Sequence, residues 1–211
     1  MELTDWFQRC PIVAILRGVR PEEVEAIGVA LDTAGIAIVE VPMNSPAPLD
    51  SIQRLHARFG SRLLIGAGTV MRAAQVEQIA RVGGAVIVTP HADPSIVRAA
   101  RTAGLFAIPG FFTPAEAFSM LDAGAHAIKL FPAEGANPRV LTALRAVLPS
   151  DTRVVPVGGM DLHTMGPWLL AGAAAVGVGS AIYRPRDGAA IVGQRAAALV
   201  AAAAPGRPPV T

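Results

Sequence analysis

Two charged side chains stand inside otherwise apolar runs of this chain. Glu40 lies in Ile38-Val39-Glu40-Val41, and Lys129 lies in Ala127-Ile128-Lys129-Leu130-Phe131. A charge in a segment buried on both faces is costly unless it is paired or neutralised. A lysine so placed can release its proton and attack a carbonyl carbon as a free amine. A carboxylate facing it can then move protons on the bound molecule. The choice of lysine is informative, because the chain's 18 basic residues are 17 arginines and this single lysine. Arginine keeps its charge and cannot act as an amine nucleophile. The competing reading of the same two residues is an inert buried Glu40–Lys129 ion pair.

A second signal is backbone rather than side chain. Gly158-Gly159 and Gly179-Ser180 each follow a β-branched run. Glycine lets backbone N–H groups approach an anion closely, so the two turns are candidates for holding a phosphate. Plain tight turns are the alternative. Metal chemistry finds little support, since His56, His91, His126 and His163 are scattered without ligand spacing. A nucleophile elbow and a P-loop are both missing. Trp6 and Trp168 fall on helical segments and read as packing residues.

The elements that must position these groups recur about every 20 to 25 residues. Candidate strands are Ile12–Arg17, Ala37–Pro42, Leu63–Thr69, Ala85–Pro90, Leu105–Gly110, Ala127–Phe131, Arg153–Val157 and Ala175–Gly179. Near-continuous apolar runs suit parallel strands covered on both faces. Helices are expected to start near Pro21, Pro94, Thr113-Pro114, Pro138 and Asp161. Glycines at Gly35, Gly83, Gly104, Gly124 and Gly172 stand where helices should stop. Eight such units imply one α/β domain over residues 1–211, a (β/α)8 TIM barrel. It has a lead-in helix over Leu3–Arg9, and a tail over 205–211 that is expected to fray. Alternation along the strands points Glu40 and Lys129 inward, with Val39, Val41, Ile128 and Leu130 facing the helices. The second and sixth strands fill the same barrel layers from opposite walls, so the acid and the amine can face one cavity. A doubly wound open sheet is the alternative architecture.

Composition excludes other classes. Apolar residues make up 52% and charged residues 16%, which is the balance of a globular chain rather than a disordered one. A formal charge of +2, without a basic run interleaved with aromatics, argues against nucleic acid as a partner. Apolar stretches fall short of the ~20 residues a membrane span needs. The start of the chain lacks the basic and apolar regions of a secretory signal. The lone Cys10 cannot form an internal disulfide. These features fit a soluble, cytoplasmic protein.

Six motifs then carry a family resemblance: Ala14-Ile15-Leu16-Arg17-Gly18, Val39-Glu40-Val41-Pro42-Met43-Asn44-Ser45-Pro46, Gly66-Ala67-Gly68-Thr69-Val70, Val88-Thr89-Pro90, Ile128-Lys129-Leu130-Phe131-Pro132 and Pro156-Val157-Gly158-Gly159. In this order, from Pro11 to Tyr183, the chain resembles the 2-keto-3-deoxy-6-phosphogluconate / 6-phosphogalactonate aldolase family. The resemblance implies a cofactor-free, homotrimeric (β/α)8 enzyme acting on a phosphorylated 2-keto acid. It implies Lys129 as the Schiff-base lysine and Glu40 as the general acid/base. Arg17 and Thr69 would hold the keto-acid end, and Gly158, Gly159, Gly179 and Ser180 the phosphate. Pro42-Met43-Asn44-Ser45 stands where the gluconate branch has Thr-Leu-Arg-Thr, and Val157 stands where that branch has threonine. Both are similar to the galactonate branch. A valine beside the substrate's C4 hydroxyl removes a hydrogen bond and can alter selectivity at that carbon. Phe111-Phe112 departs from the smaller residues of the family's loop. The expected reaction is therefore cleavage of 2-dehydro-3-deoxy-6-phosphogalactonate to pyruvate and D-glyceraldehyde 3-phosphate. The gluconate epimer, or both epimers, is the second reading, and a non-catalytic phosphosugar-binding barrel the third.

Overall fold

The computed structural model describes residues 1–203. The expected tail over 205–211 lies outside the described residues. The lead-in helix α1 (Leu3–Arg9) is present, and its own Leu3, Trp6 and Phe7 are buried. Beyond it, strands and helices alternate. The strands are β1 (Ile12–Ile15), β2 (Ile38–Pro42), β3 (Leu64–Gly68), β4 (Val86–Val88), β5 (Phe106–Ile108), β6 (Gly110–Phe111), β7 (Ile128–Leu130), β8 (Val154–Pro156) and β9 (Val176–Val178). All pair in parallel, in a six-stranded section ordered β5-β4-β3-β2-β1-β9 and a three-stranded section ordered β6-β7-β8. The fold is thus an α/β fold around a curved parallel sheet.

The two sections adjoin at both ends. The Lys129 N–H donates to the Pro109 carbonyl at 2.7 Å, and the Ala174 N–H donates to the Val154 carbonyl at 2.9 Å. Val157 and Gly177 form an isolated parallel bridge. One expected strand, Leu105–Gly110, is split into β5 and β6. The break falls at Pro109, which has no N–H to give to a ladder.

Helix boundaries follow local chemistry. α2 (Pro21–Thr33), α5 (Pro94–Thr102), α6 (Pro114–Asp122) and α7 (Pro138–Arg145) each begin on a proline. The Thr113/Glu116 capping box forms at α6. Gly35, Gly83, Gly104, Gly124 and Gly172 all take the positive φ of a helix stop. Asp161 does not start a helix. Its carboxylate accepts from the N–H groups of His163 and Thr164 at 2.8 and 2.9 Å, closing a side-chain turn, and α8 (Met165–Leu170) begins after it. The remaining helices are α3 (Pro48–Phe59), α4 (Ala74–Arg81) and α9 (Ala189–Ala203). Among the described residues, no helix is long and apolar enough to cross a membrane.

Candidate active site

Glu40 sits in the middle of β2, in register with Ile15 on β1 and Gly66 on β3. Lys129 sits in the middle of β7, in register with Gly110 and Val155. Both side chains turn inward, as strand alternation requires. Val13, Ile15, Val88, Ile108, Val155, Val157 and Gly177 line the same small cavity with them. Lys129 is 5% exposed and Glu40 2%. Their neighbours Val39, Val41, Ile128 and Leu130 are also buried.

The acid and the amine share the cavity without forming a direct ion pair. One Glu40 carboxylate oxygen is buried with no hydrogen-bond partner. The Lys129 amine lies 4.5 Å from the centroid of the Phe131 ring, which faces it as a weak cation partner. An inert structural pair would close up and satisfy its hydrogen bonds, because unpaired buried charge is costly. This pair leaves a gap instead.

Electrostatics follow from that burial. Loss of water holds the Lys129 amine below its ordinary value; the Glu40 charge opposes this and the Arg17 charge adds to it. Burial likewise holds the Glu40 carboxyl above the ordinary carboxylate range, against the charges of Lys129 and Arg17. Both shifts favour the neutral forms, so the amine is poised as a nucleophile.

Space for the Glu40 carboxylate comes from a residue that strand patterning does not single out. A Cβ on Gly68 would lie 1.2 Å from Glu40 Oε2, so only glycine fits there. The next residue, Thr69, has a φ of +53°, a left-handed conformation that costs about 1–3 kcal/mol away from glycine. That turn brings the Thr69 hydroxyl to 3.3 Å from Arg17 Nη2. Arg17 Nη1 donates to Asn44 Oδ1 at 2.7 Å, and the Gly18 N–H donates to Ser45 Oγ at 2.9 Å. Arg17 and Thr69 are therefore held together at the rim. Asn44 and Ser45, which the sequence offers only as part of the branch-marking Pro42-Met43-Asn44-Ser45 stretch, thus support this corner through hydrogen bonds. Thr89 is a second buried support: it accepts from the Gly110 N–H at 3.1 Å and donates to the His91 carbonyl at 2.5 Å.

Val157 extends β8 into the cavity wall and bridges to Gly177. Gly158 and Gly159 follow with φ of +117° and +64°. Gly179 and Ser180 follow β9, where the Gly179 carbonyl accepts from the N–H groups of Ile182 and Tyr183. These four residues end adjacent strands on the same rim as Arg17. The histidines remain dispersed; among the described residues, no three His, Cys, Asp or Glu side chains converge as metal ligands.

With that geometry in view, comparison with known proteins decides the family. The KDPG and KHG aldolase family model matches residues 3–189. The chain belongs to this family. A probable 2-dehydro-3-deoxy-6-phosphogalactonate aldolase of Rhizobium meliloti (strain 1021) is 43% identical over 192 residues, covering 91% of each chain. The 2-dehydro-3-deoxy-6-phosphogalactonate aldolase of Escherichia coli (strain K12) is 42% identical over 198 residues, covering 93% of this chain and 96% of that one. A solved native KDPGal structure superposes with a TM-score of 0.89 at 43% identity, covering 91% of this chain and 93% of the other.

Proposed function

We propose that this chain is a Schiff-base aldolase that cleaves 2-dehydro-3-deoxy-6-phospho-D-galactonate to pyruvate and D-glyceraldehyde 3-phosphate. The observation that carries the reading is the pair Lys129 and Glu40, both buried on one cavity, both shifted toward neutrality, and not closed into an ion pair. Arg17 and Thr69 hold the carboxylate and ketone end. Gly158, Gly159, Gly179 and Ser180 hold the phosphate.

In this mechanism the neutral Lys129 amine adds to the C2 ketone, and the carbinolamine takes a proton from the solvent and loses its hydroxyl as water to give a protonated imine. Glu40, directly or through a water, takes the proton of the C4 hydroxyl. The C3–C4 bond breaks, its electron pair flows into the imine, and the aldehyde departs. The resulting enamine takes a proton at C3. Hydrolysis then releases pyruvate and restores the amine. A positioned acid/base of this kind contributes roughly 10²–10⁴-fold to rate.

The galactonate epimer is favoured by Val157, whose side chain lines the cavity and offers the C4 hydroxyl no hydrogen bond. It is favoured also by the names of the relatives at 42% and 43% identity. The scaffold reading that goes with it is a closed (β/α)8 barrel formed by one domain over residues 1–211. Its supports are the hydrogen bonds and the Val157–Gly177 bridge between the two sheet sections. We further propose a cytoplasmic homotrimer that needs no cofactor, in keeping with the family resemblance.

Borohydride reduction in the presence of pyruvate tests the reading. A stable adduct on Lys129 is expected, and no adduct would favour a binding barrel without catalysis. Measuring cleavage of the two phosphorylated epimers side by side tests the substrate; equal or faster cleavage of the gluconate epimer would overturn the galactonate assignment.

A further inference from the structure

Beyond β7 a 3-10 turn, Ala133–Gly135, crosses the end of β8. The Ala133 N–H donates to the Val157 carbonyl at 2.9 Å, which pins the turn to the rim. Glu134 consequently lies over the Gly158-Gly159 pair. A Cβ on Gly158 would meet Glu134 Oε2 at 2.0 Å, and one on Gly159 would meet Glu134 Cγ at 2.9 Å. The paired glycines thus make room for a carboxylate of this chain. The turn is braced from its other side. A Cβ on Gly135 would come within 3.4 Å of the Phe112 ring. Glu116 accepts from the backbone N–H of Phe112 at 2.9 Å, which fixes that residue in turn.

Among the described residues, no arginine or histidine is ion-paired with Glu134. An unpaired carboxylate therefore rests against the turn whose N–H groups hold the phosphate in the proposed function. We propose that Glu134 is a specificity-determining residue that weakens the hold of this subsite on phosphate anions through like-charge repulsion. This rests on the phosphate assignment of Gly158 and Gly159. Such a repulsive element limits occupation of the site by inorganic phosphate and by the phosphorylated aldehyde product. The true substrate tolerates it, because its keto-acid end is also clamped and covalently held. Two like charges a few ångströms apart near a wet surface differ from one charge and a neutral amide by about threefold to tenfold in affinity.

The test is inhibition of pyruvate release by inorganic phosphate in the wild type, Glu134→Gln and Glu134→Asp, at low and at high ionic strength. Glu134→Gln should bind phosphate about threefold to tenfold more tightly at low salt. Glu134→Asp, which keeps the charge, should stay near the wild type. The gap between Glu134→Gln and the wild type should narrow at high salt. Equal phosphate inhibition of the wild type and Glu134→Gln would overturn the proposal while leaving the phosphate subsite standing. Equal tightening by both variants would overturn it too, because shape rather than charge would then be responsible. If phosphate inhibits none of the three, the phosphate subsite itself is misassigned and the role of Glu134 falls with it.

Discussion

The two ends of the site are made of different material. At the proposed keto-acid end, function is assigned to side chains, two of them on packed strands and one just past the end of β1. Glu40 and Lys129 are buried mid-strand, and Arg17 is held at the rim by hydrogen bonds to Asn44 and Thr69. At the proposed phosphate end, function is assigned to backbone turns, Gly158-Gly159 and Gly179-Ser180, half-buried to exposed at the rim, with one free carboxylate over the first of them. The first end centres on Glu40 and Lys129, two buried groups fixed by the sheet's register, and is the less tolerant of change. The second is adjustable, because an N–H group is supplied by any residue that can adopt the turn. A single protein can thus keep its covalent chemistry invariant while the distal end is tuned.

Substitutions at the two ends should therefore differ by orders of magnitude. Lys129→Arg is the sharpest break. It keeps a buried cation but removes the amine, and pyruvate release should fall by at least about 10⁴-fold. The variant should give a folded circular-dichroism spectrum and no borohydride adduct; turnover near the wild type would end the covalent role. Next, Gly68→Ala places a methyl group where the Glu40 carboxylate lies. It should lower kcat by roughly 10²-fold through a displaced acid/base and cost about 1–3 kcal/mol of stability. Urea melts and kcat measured together check both parts.

The third effect is on pH. Lys129 is held below its ordinary value, so raising the pH frees the nucleophile earlier than in an exposed lysine. Glu40 is held above the carboxylate range, so raising the pH also turns it into a base. Both act in the same direction. Cleavage should climb about tenfold per pH unit on an acid limb lying between the usual carboxylate and lysine ranges. A rate flat across that interval would show that neither group titrates during turnover. Smallest of all, Ser180→Ala removes one hydroxyl from a subsite built mainly of backbone. It should raise KM for the phosphorylated substrate by about tenfold or less, with kcat within a factor of about two. A kcat loss as large as that of Gly68→Ala would collapse the distinction between the two ends.

The same division decides what could be read from the residues in order. Glu40 and Lys129 announce themselves because charge inside an apolar run is rare, and parity alone turns both into the sheet's interior. The helix stops at Gly35, Gly83, Gly104, Gly124 and Gly172 are equally plain, since a left-handed stop favours one residue type. Pro109 sits inside an apolar run that reads as one strand, although its missing N–H splits β5 from β6. Asp161 looks like a helix start in sequence because a side-chain turn and an N-cap use the same acceptor chemistry. Gly68 and Glu134 were not legible as site residues. Each matters through a neighbour distant in sequence, Glu40 for one and Gly158-Gly159 for the other, and no local pattern encodes that meeting.

One further consequence follows from the burial of Lys129, which is 5% exposed and the only lysine of the chain. The surface presents guanidinium groups in place of ε-amines. Acylating, glycating and cross-linking reagents that seek ε-amines therefore find no lysine outside the cavity among residues 1–211. A small amine-directed reagent that enters the cavity becomes a stoichiometric count of intact sites.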